Sequence, residues 1–469
     1  MPGDRTFSAA SKRKRNRRER ILSTNLKEKE LLEGDLGKVF GHYLVSSFSA
    51  AFLIAVNFLI DTICVGQKIG EIGIAALNVS VPVTGLLYAL GYMFAYGSSN
   101  LFSHEIGAGR KKEARVYYGT ALKTLTGISV IILLAGTWFA EPITWALCNG
   151  ASFYKESSRY LFYVFAFAPF YCLETFFNVY MRNDGKPAWS AIATLVSTSV
   201  NIVLDFLFVW VFPFGLAGAS AATGIGLVCG FLIEFLQTFR RDSALNVNHC
   251  GYSPALLKSI VMTGFSSFIR EFSRSFLVLI INIVLLNLSG ETAVAVYGVI
   301  ANLGNVVVCA LSGVSNAIQP VIAVNLGAKK YDRIHRLFRM GVLTSAACAA
   351  AYAAFAEIHP EMLISIFLDH PTEELAEMCI PGIRIISPGY IAAGITTVCN
   401  VYMESTLRPR SAARSALVQG FISPIASVLM LVPFLGTEGV WLAFLIAELV
   451  SLASAVHAEK TSRIAILPD

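Results

Sequence analysis

The chain has 469 residues, 55% of them hydrophobic and 14% charged, with 37 Lys and Arg against 31 Asp and Glu and a formal net charge of +6. So few charged side chains do not cover a water-soluble globule of this length, which excludes a soluble enzyme and makes a lipid bilayer the fitting solvent. The nine cysteines are scattered, mostly in apolar stretches, with no CxxC pair and no histidine at ligand spacing. They read as small buried hydrophobes, so no structural metal and no cofactor is expected.

Residues 1–40 form a polar, basic segment that includes Lys12-Arg13-Lys14-Arg15-Asn16-Arg17-Arg18. Its place just ahead of the first apolar stretch predicts a cytoplasmic membrane-surface role rather than nucleic-acid binding. That first stretch is too long for a signal-peptide core, so no cleaved signal is expected. Stretches long enough to span, at about 20 residues each, run from Tyr43 to Val65, Ala75 to Phe102, Val116 to Ala140, Tyr160 to Met181, Ala188 to Val211 and Gly215 to Phe239. After a polar linker they resume from Ile260 to Leu288, Thr292 to Pro320, Leu337 to Phe355, Ile380 to Met403, Ser411 to Val432 and Gly439 to His457.

The expected architecture is an all-α membrane protein of twelve transmembrane helices. An N-lobe spans residues 41–240, a cytoplasmic linker 241–258, a C-lobe 259–457 and a cytoplasmic tail 458–469. Basic residues gather in alternate loops (Arg110, Lys111 and Lys112; Arg182 and Lys186; Arg240 and Lys258; Lys329, Lys330 and Arg333; Arg408 and Arg410), whereas the loop before the tenth span is acidic. The positive-inside rule then puts both termini in the cytoplasm.

The two halves repeat. Asn178-Val-Tyr-Met-Arg-Asn-Asp-Gly-Lys-Pro187 matches Asn400-Val-Tyr-Met-Glu-Ser-Thr-Leu-Arg-Pro409, Ile106-Gly-Ala-Gly-Arg110 matches Leu326-Gly-Ala-Lys-Lys330, and Gly215-Leu-Ala-Gly218 matches Gly436-Thr-Glu-Gly439. With an even number of spans in each half, both halves enter the membrane from the same side. They are expected as two six-helix lobes about a pseudo-two-fold axis along the membrane normal, with a cavity between them.

Charges inside a span are costly and mark function. Asp61 lies 18 residues past Tyr43 and Asp205 lies 17 past Ala188, so both stand roughly 25 Å from the cytoplasmic edge. Asn57 and Asn201 each precede an aspartate by four residues, on the same helix face, and Ser197 extends the second stripe. Two carboxylates flanked by amides in a low-dielectric pocket form a site able to load and release H⁺ or Na⁺. The repeat places Ile281 opposite Asp61 and Ser427 opposite Asp205, so the aspartates belong to one lobe only. Glu271 with Arg274, and Glu174 with Asn178, are further candidates for the cavity wall, as is Glu448. No HExxH, DDxxD or nucleophile–base pair supports a membrane-embedded enzyme.

In order along the chain, Asn57-Phe-Leu-Ile-Asp-Thr62, Ile106-Gly-Ala-Gly-Arg110, Arg182-Asn-Asp-Gly-Lys-Pro187, Asn201-Ile-Val-Leu-Asp205 and Gly218-Ala-Ser-Ala-Ala-Thr223 resemble the MATE family, the multidrug and toxic compound extrusion transporters. The pattern looks more like its bacterial DinF and MepA-like branches than its NorM branch. The resemblance, over about Gly41 to His457, implies a secondary antiporter that exports small amphipathic, often cationic compounds by alternating access against an H⁺ or Na⁺ gradient. It implies a multi-pass protein of the bacterial inner (plasma) membrane that works as a monomer, with no nucleic acid among its partners and no cofactor beyond the coupling ion. It further implies that Asp61 and Asp205 hold that ion, with Asn201 and Thr223 as supporting ligands. The alternative is a flippase for lipid-linked saccharide precursors from the same wider superfamily, whose cavity would need more unpaired cationic residues than the sequence supplies.

Overall fold

A computed structural model describes residues 29–147, 154–212, 214–240, 243–246, 250–366 and 373–463. The basic run Lys12–Arg18, and with it most of segment 1–40, lies outside the described residues, as do Arg241, His249, Asp369 and His370. The helices of the first half are α1 (Leu36–Ile69), α2 (Glu71–Gly107), α3 (Lys111–Trp138), α4 (Ala140–Leu147), α5 (Tyr154–Ala166), α6 (Ala168–Asn183), α7 (Pro187–Asp205) and α8 (Gly215–Thr238). A π-helical stretch, Phe206–Val211, continues α7. The second half holds α9 (Leu257–Gly327), α10 (Tyr331–Ile358), α11 (Pro360–Ser365), α12 (Glu373–Ile386), α13 (Gly389–Ser405), α14 (Pro409–Leu417) and α15 (Ser423–Arg463). α7 and α14, repeat counterparts, both begin on a proline, whose fixed φ and missing N–H suit the first helical position.

Among the described residues, seven helices are long and apolar enough to cross a membrane, and nine when each of two bent pairs is one span: α5 with α6, bent by 50°, and the end of α12 with α13, bent by 42°. The expected twelve are recovered because two of the long helices double back. Ser423 Oγ donates to the Ala447 carbonyl at 2.9 Å, although the intervening residues of a straight helix cover about 36 Å. α15 therefore turns over, and Gly436, at φ 57° and ψ −131°, is its non-helical residue. In α9, Ile260 lies against Gly97 and Val324 against Gly107. Gly97 and Gly107 are about 15 Å apart along α2, whereas Ile260 and Val324 would be about 95 Å apart in a straight helix. α9 is thus two antiparallel arms, and with α2 the spans number six in each half.

The pseudo-two-fold axis is visible in contacts between residues and their own repeat counterparts, which meet only on a symmetry axis. Tyr96 Oη donates to Asn316 Oδ1 at 2.5 Å and Gln319 Nε2 to Ser99 Oγ at 3.4 Å, each pair separated by 220 residues. A methyl group on Gly107 would lie 1.9 Å from the Val324 carbonyl oxygen, and one on Gly327 1.9 Å from that of His104. At this end, where the basic loops gather, the lobes meet backbone to backbone. Small residues permit that approach, which is how helices associate in a medium as apolar as their own side chains.

One apolar core fills the first half, around Phe176, Phe177, Tyr118 and Tyr180. Two fill the second, around Trp441 with Tyr390 and around Ile318 with Tyr402. The start of α1 (Val39, Phe40, Tyr43) packs into the last of these, so the first helix straddles the lobes. The outer surface keeps Trp138, Leu134, Met430 and Phe434 exposed, as a lipid-facing surface requires.

Candidate functional site

α7 carries the first cluster. Asn201 Nδ2 donates to Asp205 Oδ2 at 2.9 Å and to Thr223 Oγ1 of α8 at 3.4 Å. Thr223 in turn donates to the Ala219 carbonyl at 3.2 Å. The close approach of α7 and α8 needs Gly226, since a Cβ there would meet the Ser197 carbonyl at 2.7 Å and Asn201 Cβ at 3.1 Å. Asp205 is 0% exposed and Asn201 2%. α1 packs against α7 and brings Asp61 within electrostatic reach of Asp205. Both aspartates also act on Tyr160 of α5 and Tyr171 of α6.

Asn57 Oδ1, Asp61 Oδ1, Asn201 Oδ1 and Asp205 Oδ1 are all buried without a hydrogen-bond partner. An orphaned buried acceptor costs about 1–3 kcal/mol, more when charged, and these four concentrate unsatisfied oxygens where α1 meets α7. Carboxylate and amide oxygens are the donors a proton or a hard monovalent cation takes. No group of three or more His, Cys, Asp or Glu among the described residues is arranged to hold a metal ion.

A second polar cluster lies nearer the basic loops. Asn178 Nδ2 donates to Glu234 Oε1 at 3.0 Å and to Thr194 Oγ1 at 3.2 Å. Arg182 Nη1 donates to Asn178 Oδ1 at 2.5 Å and to Ser190 Oγ at 3.3 Å, and Arg182 Nη2 to Tyr96 Oη at 3.4 Å. Ser197 and Glu174 both border Gly230, whose Cβ would lie 3.1 Å from the Ser197 Cβ and 3.5 Å from the Glu174 Cγ. Sequence reasoning missed Glu234, a single carboxylate within the sixth apolar stretch. It also placed Arg182 among the loop charges, whereas the structure leaves it 4% exposed. The spacing Glu174, Asn178, Arg182, every fourth residue on one helix face, was the available signal for this stripe.

In the second half two of the carboxylates face arginines and a third faces an amide. Arg274 pairs with Glu271 at 3.5 Å. Arg270 lies 3.5 Å from Glu404, whose Oε1 also accepts from the Ser266 and Ser267 hydroxyls. Glu448 Oε2 accepts from Gln419 Nε2 at 3.2 Å, and Gln419 Oε1 accepts from Asn400 at 3.0 Å. The first-half site therefore has no equivalent where the repeat would put one: Ser423 Oγ is bound to a backbone carbonyl, and its neighbour Ser427 is a buried hydroxyl.

The MatE family profile matches this chain twice, over residues 47–207 and 267–429, once in each half. The chain is 23% identical over 423 residues to the multidrug export protein MepA of Staphylococcus haemolyticus, covering 89% of this chain and 92% of that protein. It is equally similar to MepA of Staphylococcus saprophyticus, at 23% over 439 residues, 92% of this chain and 96% of the relative. Among solved structures, an outward-facing multidrug resistance MATE transporter of the MOP superfamily superposes with a TM-score of 0.87 at 19% identity, over 94% of this chain and 98% of the other. A MOP superfamily transporter from Pyrococcus furiosus gives 0.85 at 19% identity, over 93% and 97%. These likenesses establish the two-lobe helical fold, and the double family match covers most of the chain. The chain belongs to the MatE family, the multidrug and toxic compound extrusion transporters, and is a secondary transporter rather than an enzyme.

Proposed function

We propose that the protein exports small amphipathic, often cationic compounds across the bacterial plasma membrane by exchange for H⁺ or Na⁺, with both termini in the cytoplasm and the monomer as the working unit. The carrying observation is the Asn57, Asp61, Asn201 and Asp205 cluster, with four buried oxygens lacking partners and no repeat counterpart in the second half. Relatives that cover nearly the whole chain are named multidrug export proteins. Asp61 and Asp205 hold the coupling ion in this reading, Asn201 and Thr223 support it, and Asn57 completes the shell.

An ion arriving from outside satisfies the orphaned oxygens, and the packing of α1 against α7 changes as the two negative charges are compensated. If that arrangement binds the exported compound more weakly, ion and compound are coupled negatively and by the same factor in both directions. A flippase for anionic lipid-linked saccharides fits less well, because Arg270 and Arg274 already face Glu404 and Glu271. The test is ethidium efflux from cells carrying Asp205→Asn. The variant is expected to lose at least tenfold in rate, and a wild-type rate would overturn the assignment. Proteoliposomes under an imposed pH gradient, compared with an imposed Na⁺ gradient, identify the ion.

A further inference from the structure

Glu404 in the second half and Glu234 in the first are both fully buried with one oxygen lacking a partner, but Glu404 faces Arg270 at 3.5 Å, whereas among the described residues Glu234 has no Lys or Arg in ion-pair contact. Glu234 is 0% exposed, Asn178 occupies its Oε1, and its Oε2 is buried with no partner. Glu174 of α6 is the other carboxylate acting on it, and Arg182 is the cation that does so. From the remaining neighbours, α2 presents Tyr88 and Tyr92, which feel Glu174 and also Glu271 of α9, while α7 contributes the hydroxyl groups of Ser190, Thr194 and Ser197. Among the described residues, two carboxylates therefore share one guanidinium. Neither is kept by the repeat, whose counterparts are Thr396 and Ala455, the same asymmetry that sets Asp61 and Asp205 apart.

We propose that Glu174 and Glu234 form a second proton-binding site, separate from the aspartate pair, whose occupancy is transmitted to the interface between the lobes. The proton comes from water and forms an O–H bond on the carboxylate. It returns to water when the exported compound binds. A proton rather than a metal cation is the fitting occupant, because the Arg182 guanidinium, held 2.5 Å from Asn178, would repel a bound metal ion across that single amide. The transmission runs through a chain of hydrogen bonds: Glu234 to Asn178, Asn178 to Arg182, Arg182 to Tyr96, and Tyr96 to Asn316 of the opposite lobe at 2.5 Å. Neutralising Glu234 leaves the Arg182 charge less balanced, at a place where Arg182 holds the tyrosine that bonds the other lobe.

This rests on the exporter reading above, and the experiment separates the two. Ethidium affinity is measured by fluorescence anisotropy on the purified full-length protein in detergent between pH 6 and pH 8. The slope of log Kd against pH counts the protons exchanged. Glu234→Gln is expected to reduce the change in Kd per pH unit by up to tenfold, one proton's worth, and Glu234→Gln with Asp205→Asn to reduce it further than either alone. A wild-type slope in Glu234→Gln beside a reduced slope in Asp205→Asn overturns the second site and leaves the first standing. A reduced slope in Glu234→Gln beside a wild-type slope in Asp205→Asn does the reverse. Should Glu234→Gln fail to fold, judged by its size-exclusion profile, Glu174→Gln takes its place with the same two outcomes.

Discussion

At the scale of single residues, the repeat survives in backbone geometry where side chains have diverged. Gly109, Gly185 and Gly215 have φ of 79°, 69° and 59°, and their counterparts Lys329, Leu407 and Gly436 have 57°, 55° and 57°. Left-handed backbone costs a residue with a Cβ about 1–2 kcal/mol, so the second half tolerates two such turns that the first half builds from glycine. Lys329 is exposed and Leu407 partly packed in the core around Tyr402. Lys329→Gly trades about 1–2 kcal/mol of relieved left-handed backbone cost against about 0.4–1 kcal/mol of unfolded-chain entropy, so a net stabilisation of under about 1 kcal/mol is expected. A rise in apparent melting temperature in detergent checks it, and an unchanged or lower value would show that Lys329 makes interactions outweighing its strain. The aspartates were legible in the sequence because a charge in an apolar run is rare; Arg182 was not, because a charge near a span end looks the same whether solvated or buried.

At the scale of elements, the sequence-based span boundaries come close to the helices, but not the manner in which helices join. Hairpins inside α9 and α15 carry no long polar loop, so the expected breaks rest on a few residues such as Ser289 to Glu291 and on Gly436. One further helical turn lies within the polar sequence ahead of the first span. Residues 29–33 are helical, and the carbonyls that end this turn are held by the second half: Asn325 Nδ2 and Arg333 Nη2 donate to Leu31 O, Lys330 Nζ to Leu32 O at 3.0 Å, and Arg333 Nη2 to Gly34 O at 3.0 Å. Cationic donors at a helix C-terminus satisfy carbonyls left without partners and suit its partial negative charge. Because a guanidinium stays charged at any physiological pH, this clamp does not depend on pH. Lys330→Ala with Arg333→Ala is expected to speed hydrogen exchange or proteolysis across residues 29–34 several-fold without unfolding the spans. Unaltered protection there would mean that Leu31, buried in the core beside Ile334, is sufficient to hold the segment.

For the whole molecule, symmetry and asymmetry do different work. The halves share turns, proline starts and an axis on which Tyr96 and Ser99 meet Asn316 and Gln319, while Gly107 packs on Val324 as Gly327 packs on His104. That shared part was legible from repeated strings, because backbone constraints persist after duplication. The carboxylates of the first half are what the duplication did not keep, and their partners across helices could not be ranked without the packing that Gly226 and Gly230 permit. The axis contacts also say what must change during transport, since a cavity alternately open to each side has to part the lobes at the basic-loop end. Closure there depends on the absence of two methyl groups, each of which would stand 1.9 Å from an opposing carbonyl oxygen, the atoms being backbone that no rotamer change can clear. Gly107→Ala or Gly327→Ala is thus expected to hold the basic-loop ends apart and shift the population toward the state opened on that side. Spin labels on the exposed Lys112 and Lys329, read by double electron–electron resonance, should show a longer mean distance in either variant than in the parent, with efflux reduced. An unchanged distance distribution would place the pivot of the lobes elsewhere than on this glycine pair.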